Sequence, residues 1–456
     1  MTERLLHAKN GLPVVVRGSA ALHSRYDPVS EAARYVAALD AAPNSEAFLL
    51  VEPALGYLAE PLKQRFPRAR IYGLHSSAFF SRSEAGKVSR IAPDANWTPA
   101  REISLEDFLE DALEGIAVEK VRIVEWRPGI DAYGKQSLAL FAQTAEIIRR
   151  IHANRVTEKA FARRWVRNFL RNLDLLDAAV THVRGNAPVV VCASGPGLEE
   201  AIPLISLSRP SIFLAAVSSA APALLARDLI PDLIVASDGG PWALLHLYEA
   251  CRREGSGAVY AAALSAALPS QLSARALLPF RDGSLYQELV LGKTPFLRFP
   301  QRGTVSASAL DLAMVLTSGP VYVAGLDLAH RDLRTHARPY AFDTLADTAA
   351  TRCRPAYSQA FEREAHIRSS SVNGIYASWF KSHSYGPRLF SLGASAELGI
   401  PRGSPKPARG LSKPVFTAVK SRAPDSDAGK RILLDALKNP LLKKRLDAEL
   451  GDWPRG

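Results

Sequence analysis

The residues of this chain best placed to do chemistry stand just beyond apolar, β-branched runs. Val189-Val190-Val191-Cys192 leads into Ala193-Ser194-Gly195-Pro196-Gly197-Leu198, and Val321-Tyr322-Val323-Ala324 leads into Gly325-Leu326-Asp327. Runs without polar alternation read as strands covered on both faces. A glycine turn after such a strand brings backbone amides and the positive end of the next helix onto a phosphate, and Ser194 adds a hydroxyl. Two more strand ends carry polar groups: Ser218-Ser219 after Ser211–Val217, and Asp238-Gly239-Gly240 after Leu233–Ser237. Asp238 and Asp327 are placed to accept ribose hydroxyls or to hold a divalent ion. Arg302-Gly303-Thr304-Val305-Ser306 opens a helix with Thr304 as N-cap, and the amides behind Gly303 form another anion site. Beyond Asp327 come His330, His336, Tyr340 and His366; a histidine titrates near neutral pH, so each is a candidate general base. Every one of these motifs has a plain structural alternative: a tight turn, a helix cap, an Asp-Gly turn, a surface histidine.

The elements that must position these residues follow from the alternation of strands and helices. Between residues 187 and about 330, strands at Pro188–Cys192, Ser211–Val217, Leu233–Ser237, Ala258–Leu264 and Val321–Ala324 alternate with helices, among them Trp242–Arg253 and Thr304–Ser318. Ser219 precedes a helix with Pro222 in its first turn, a cap arrangement. Helical crossovers imply a doubly wound, mostly parallel, Rossmann-like α/β sheet, with ligands at the carboxyl ends of the strands. Upstream, Ala47–Val51, a helix through Arg65, and Arg70–Leu74 make a βαβ unit, and Val121–Trp126 adds a strand. The turn after Val51 lacks Gly-x-Gly-x-x-Gly, which argues against a dinucleotide or S-adenosylmethionine site there. The expected organisation is a small α/β domain at 1–135, a helical connector at 136–186, a central nucleotide-binding domain at 187–400, and a linker with a C-terminal helix at 401–456.

A chain of 456 residues exceeds one compact core. The formal charge of +12 suits anionic partners, but the basic residues form no block, so nucleic acid is not favoured. Cys192, Cys251 and Cys353 are too far apart for a structural zinc site or a disulfide framework. The longest apolar run, Ser211–Ala226, is interrupted by Pro222 and implies no membrane span; a reducing, cytoplasmic setting is expected. Leu291-Gly292-Lys293-Thr294 looks like the end of a P-loop, but Gln287 stands where the first glycine belongs, and no Gly-x-Ser-x-Gly or His-Glu-x-x-His occurs.

The succession Ser194–Leu198, Ile230–Asp238, Gly303–Val305, Gly325–Ala329 and Thr335–Ala337 resembles the motor accessory factor (Maf) family of flagellin glycosyltransferases, whose central domain is shared by archaeal hydroxymethylpterin pyrophosphokinases. Asn154, Thr157, Phe161, Trp165, Asn168 and Asn172 resemble the Maf pattern ahead of that domain. The central domain is also similar to bacterial sialyltransferases. Their Tyr-Ala-Phe-Asp-Thr segment is matched at Tyr340–Thr344, although Gly197 and Ala329 stand where they carry serine and tyrosine. The resemblance implies a cytoplasmic enzyme that moves a nonulosonic acid, of the pseudaminic or legionaminic kind, from its CMP donor to flagellin hydroxyls. It nominates Tyr340 as support for the leaving phosphate and His366, or failing that His336, as base. Two alternatives stay open, an ATP-using pterin pyrophosphokinase and a flagellin-binding chaperone without activity.

Overall fold

A computed structural model of the chain describes all residues except 1, 83, 253–256, 329–333, 360, 363–371, 384, 394–397, 407–409, 452 and 455–456; for 82, 153–159, 372–373, 375, 378, 382 and 448 it describes the backbone alone. The chain divides into two compact units, Met1–Glu158 and Lys159–Gly456.

In the first unit a four-stranded parallel sheet has the order Asn96–Trp97, Arg70–Leu74, Ala47–Val51, Val121–Glu125, flanked by an antiparallel meander of Glu3–His7, Pro13–Arg17 and Ala20–Ala21. The turn after Val51 carries positive φ at Glu52 (56°), Ala54 (51°) and Gly56 (74°). A methyl at Gly56 would lie 2.7 Å from Ile91 Cγ1, so an apolar side chain fills the space before this turn.

The second unit is built on eight parallel strands in the order Leu297–Arg298, Leu277–Arg281, Val259–Ala263, Leu233–Ala236, Phe213–Val217, Val189–Cys192, Val321–Ala324, Leu389–Ser391. The inner strands are buried along their whole length, as their unbroken apolar runs require. The chain order reverses between Val189–Cys192 and Val321–Ala324, the switch point at which an open α/β sheet forms its crevice. The expected doubly wound fold is therefore present, with more strands than expected. Leu277–Arg281 contains Pro279, which argues against an interior strand. It is accommodated because the outer neighbour pairs only with Phe280 and Arg281, so the ladder on that side asks for no N–H from Pro279. Val321–Ala324 does not close the sheet, since Leu389–Ser391 pairs outside it.

The stretches outside the central sheet do not stand apart. The helix Lys135–Leu173 places Leu140, Ile147 and Ile151 in a core of the first unit and Val166, Phe169 and Leu173 in a core of the second. The segment after 401 holds a strand, Val415–Ala418, paired with Val180–Val183. It then forms two helices where one was expected, Ser426–Ala436 and Pro440–Leu450, separated by Asn439, which caps the second through Leu441 and Leu442 N–H with Pro440 in its first turn. Leu433, Leu446 and Leu450 are buried, and a methyl at Gly429 would lie 2.6 Å from Leu173 Cδ1, so this helix packs backbone-close on the long one.

Candidate functional site

All strands of the large sheet point the same way, so Ser194, Ser218, Asp238, Gly303 and Gly325 share its carboxyl edge. At the switch point the glycine turn and the Gly325–Asp327 turn are in direct contact. Gly195 N–H donates to Gly325 O at 2.8 Å, and Gly197 N–H donates to Asp327 Oδ2 at 2.6 Å. A methyl at Gly195 would lie 2.5 Å from Gly325 O, one at Gly197 2.5 Å from Asp327 Oδ1, and Gly325 has φ +68°. Glycine is needed here because the two turns touch. The amides expected to cradle a phosphate are thus engaged within the fold, and Asp327, expected to hold ribose or metal, is itself the anion at this helix start. Pro196 accepts Glu199 N–H through its carbonyl, closing the first turn of the helix Leu198–Ser208.

Ser218 is buried, its N–H on Val235 O, and Ser219 does not cap the following helix. Ala220 holds the cap position without a side-chain bond, because backbone bonds from Ala220 to Val217 and from Ala221 to Ser218 close the turn first. Thr304 does cap: its hydroxyl accepts Ala307 N–H at 3.1 Å at the start of Val305–Leu316.

A second group of candidates gathers at the end of Leu233–Ala236. Asp238 is exposed and accepts Gly240 N–H at 2.7 Å, a local Asx turn. This loop is fixed from behind. Asn168 donates to Gly239 O and Ser265 O at 3.0 and 3.1 Å, and buried Asn172 donates to Leu264 O and Ala266 O at 2.9 and 2.8 Å. Asn168 and Asn172 stand four apart, one above the other on the helix, and satisfy carbonyls where the sheet stops. His246 and Tyr376 lie within reach of the Asp238 charge. Burial lowers the His246 pKa, with Asp238 pulling against it, and burial plus the Asp238 charge raises that of Tyr376. A methyl at Gly303 would lie 3.2 Å from Tyr376 Cδ1, which links the start of Val305–Leu316 to the surroundings of Asp238.

The segment after Thr335 bridges the two groups. Ala337 N–H donates to Ser194 O at 2.8 Å; Arg334 and the Arg338 N–H bind Glu199, and Arg227 holds Arg338 O at 2.7 Å. Thr335 Oγ1 lies 2.7 Å from His336 Nδ1, and the His336 ring stacks on Tyr340 with centroids 4.0 Å apart and planes 10° apart. His246 at 5.3 Å and Phe342 at 5.2 Å are further ring neighbours of Tyr340, so three rings adjoin the tyrosine. The Asp343 carboxylate accepts Tyr340 N–H at 2.9 Å. His366 and His330 lie outside the described residues. Sequence reasoning missed His246, Tyr376 and the exposed Trp242. The one signal available was the placement of Trp242 and His246 four apart, right after the Asp238 turn. Among the described residues no group of three or more His, Cys, Asp or Glu could hold a metal, and no helix is long and apolar enough to cross a membrane. A cavity of about 210 Å³ at the outer strand is lined by Lys381, His383, Tyr385 and Ile400 and by none of the candidates.

Comparison with known proteins completes the picture. Residues 164–333 match the family described as 6-hydroxymethylpterin diphosphokinase MptE-like. An uncharacterized protein of Treponema pallidum (strain Nichols) is 29% identical over 242 residues, 52% of this chain, and the chain spans about half (53%) of that relative's length. The structure of a Maf glycosyltransferase from Magnetospirillum magneticum AMB-1 superposes with a TM-score of 0.50 at 13% identity, over 99% of this chain and 77% of that one. The resemblance noted in the sequence is therefore found again: the whole chain has the fold of a Maf glycosyltransferase, and its central part resembles pterin diphosphokinases of the MptE-like kind.

Proposed function

We propose that this chain is a glycosyltransferase that moves a nonulosonic acid from its CMP-activated donor to serine or threonine hydroxyls of flagellin, in the cytoplasm. The observation that carries the reading is the carboxyl edge of the large sheet, where the segment of His336 and Tyr340 joins the Ser194 turn to the surroundings of Asp238 and Gly303. On this reading Tyr340, held by its three ring neighbours, presents its hydroxyl to the leaving phosphate. The first-turn amides of Val305–Leu316, behind Gly303 and Thr304, supply further donors. The bond from the anomeric carbon to the phosphate oxygen breaks, the acceptor oxygen bonds that carbon, and the acceptor proton passes to a histidine. His336 is the described candidate for that proton and His366 the one beyond the described residues. Asp238 orients ribose or sugar hydroxyls, or a divalent ion if one takes part. Gly195, Gly197, Gly325 and Asp327 act as the rigid floor under this edge rather than as phosphate ligands.

A second reading, favoured by the match over 164–333, is pyrophosphoryl transfer from ATP to a hydroxymethylpterin. Thermal shift with CMP, and with ATP plus magnesium, separates the two. Stabilisation by CMP alone is the expected result. No shift with CMP, together with a shift by ATP and AMP release on addition of the pterin, would replace the proposal by its rival.

A further inference from the structure

The Asp238 loop carries an aromatic ring that the fold does not use. Trp242 is 65% exposed, although a tryptophan offers more apolar surface to burial than any other side chain. The loop that bears it is nonetheless held in place. Pro241–Ala243 is one 3-10 turn, Asp238 ties Gly240, Asn168 ties Gly239, and Ala267 N–H donates to Asp238 O at 2.9 Å. Phe342 lies at 6.2 Å from the indole, and the same Phe342 packs on His246 and Tyr340. A solvent-facing indole on a tethered loop thus stands beside an exposed carboxylate, at the mouth of the candidate edge.

We propose that Trp242 is the stacking platform for the nucleobase of the donor, with Asp238 accepting from hydroxyl or amino groups of the same nucleoside. The inference rests on the nucleotide-sugar reading above and adds to it the residue that binds the base. A planar π-face stacks on indole whatever its edge pattern, and the adjacent carboxylate supplies the polar contact that stacking lacks.

The test is titration of CMP into the full chain and into Trp242→Ala and Trp242→Phe, with thermal unfolding of each protein. Loss of one base stack weakens CMP binding about 5- to 150-fold. The expected result is that loss for Trp242→Ala, retention of most of the affinity in Trp242→Phe, and unchanged unfolding temperatures, since the side chain is mostly in water. Equal CMP affinity in Trp242→Ala and the parent overturns the inference and leaves the glycosyltransferase reading standing. A phenylalanine variant as weak as the alanine one, or a lowered unfolding temperature in Trp242→Ala, overturns stacking in favour of a packing role. Absence of CMP binding in the parent refutes the nucleotide-sugar reading itself, and the base platform with it.

Discussion

Replacing Asn172 by alanine tests whether the asparagine pair on the long helix is what holds the Asp238 loop in place. Asn172 is 3% exposed, and its amide donates to Leu264 O and Ala266 O at 2.9 and 2.8 Å. Truncation removes two neutral hydrogen bonds and leaves two buried carbonyls without a donor. At about 1 kcal/mol net for each bond, and more where a buried partner is stranded, the loss is about 2–4 kcal/mol. For a unit of this size that corresponds to a fall of roughly 3–6 °C in the unfolding temperature. Asn168→Ala costs less, because its bonds to Gly239 O and Ser265 O are only part-buried. Asn172→Asp is worse than alanine at neutral pH, since it aims a carboxylate at two carbonyls. Differential scanning calorimetry of the full chain, following the transition of the 159–456 unit, reads all three. An unfolding temperature for Asn172→Ala within about 1 °C of the parent would refute the clamp, because it would mean that the strand ends need no donor from this helix.

Asp327→Asn weakens a charge-assisted bond to Gly197 N–H, and Gly197→Ala forces a methyl to 2.5 Å from the same carboxylate. Each is expected to lower stability by about 2 kcal/mol in denaturant titration, and a neutral result for both would release Asp327 for ligand binding. In the first unit, burial raises the Glu52 carboxyl from 4.5 to about 7, with Arg17, Ser76 and Ser137 offsetting part of the effect. The folded state therefore binds this proton more tightly than the unfolded one. The stabilising contribution is full below the unfolded value and is lost as pH rises through about 7. Glu52→Gln should thus gain on the parent at alkaline pH and not under acid conditions, as read by urea titration across that window; equal pH profiles would show that the carboxyl titrates normally.

The layers of the second unit were legible because its inner strands are written as unbroken apolar runs, and Thr304 announces its helix by residue type alone. The outer strands were not. Leu297–Arg298 is two residues long, Leu277–Arg281 carries a proline, and both are strands only because neighbours already extend the sheet to them. The site was half legible for the same reason. That Gly195, Asp238 and Gly325 follow strands is local information. Which amides face outward depends on Gly325 and Asp327 meeting the Ser194 turn across 130 residues of chain. His246 becomes a neighbour of Tyr340 only through such long-range closure, and its spacing from Trp242 after the Asp238 turn is a weak local mark of it.

The helices Ser426–Ala436 and Pro440–Leu450 also decide when the molecule can finish folding. Leu433, Leu446 and Leu450 complete a core begun by Val166 and Phe169, so that core lacks one wall until residues 426–450 have left the ribosome. At about 5–20 residues per second the waiting helix exposes its apolar stripe for tens of seconds during synthesis, a window in which a holding chaperone would be of direct use.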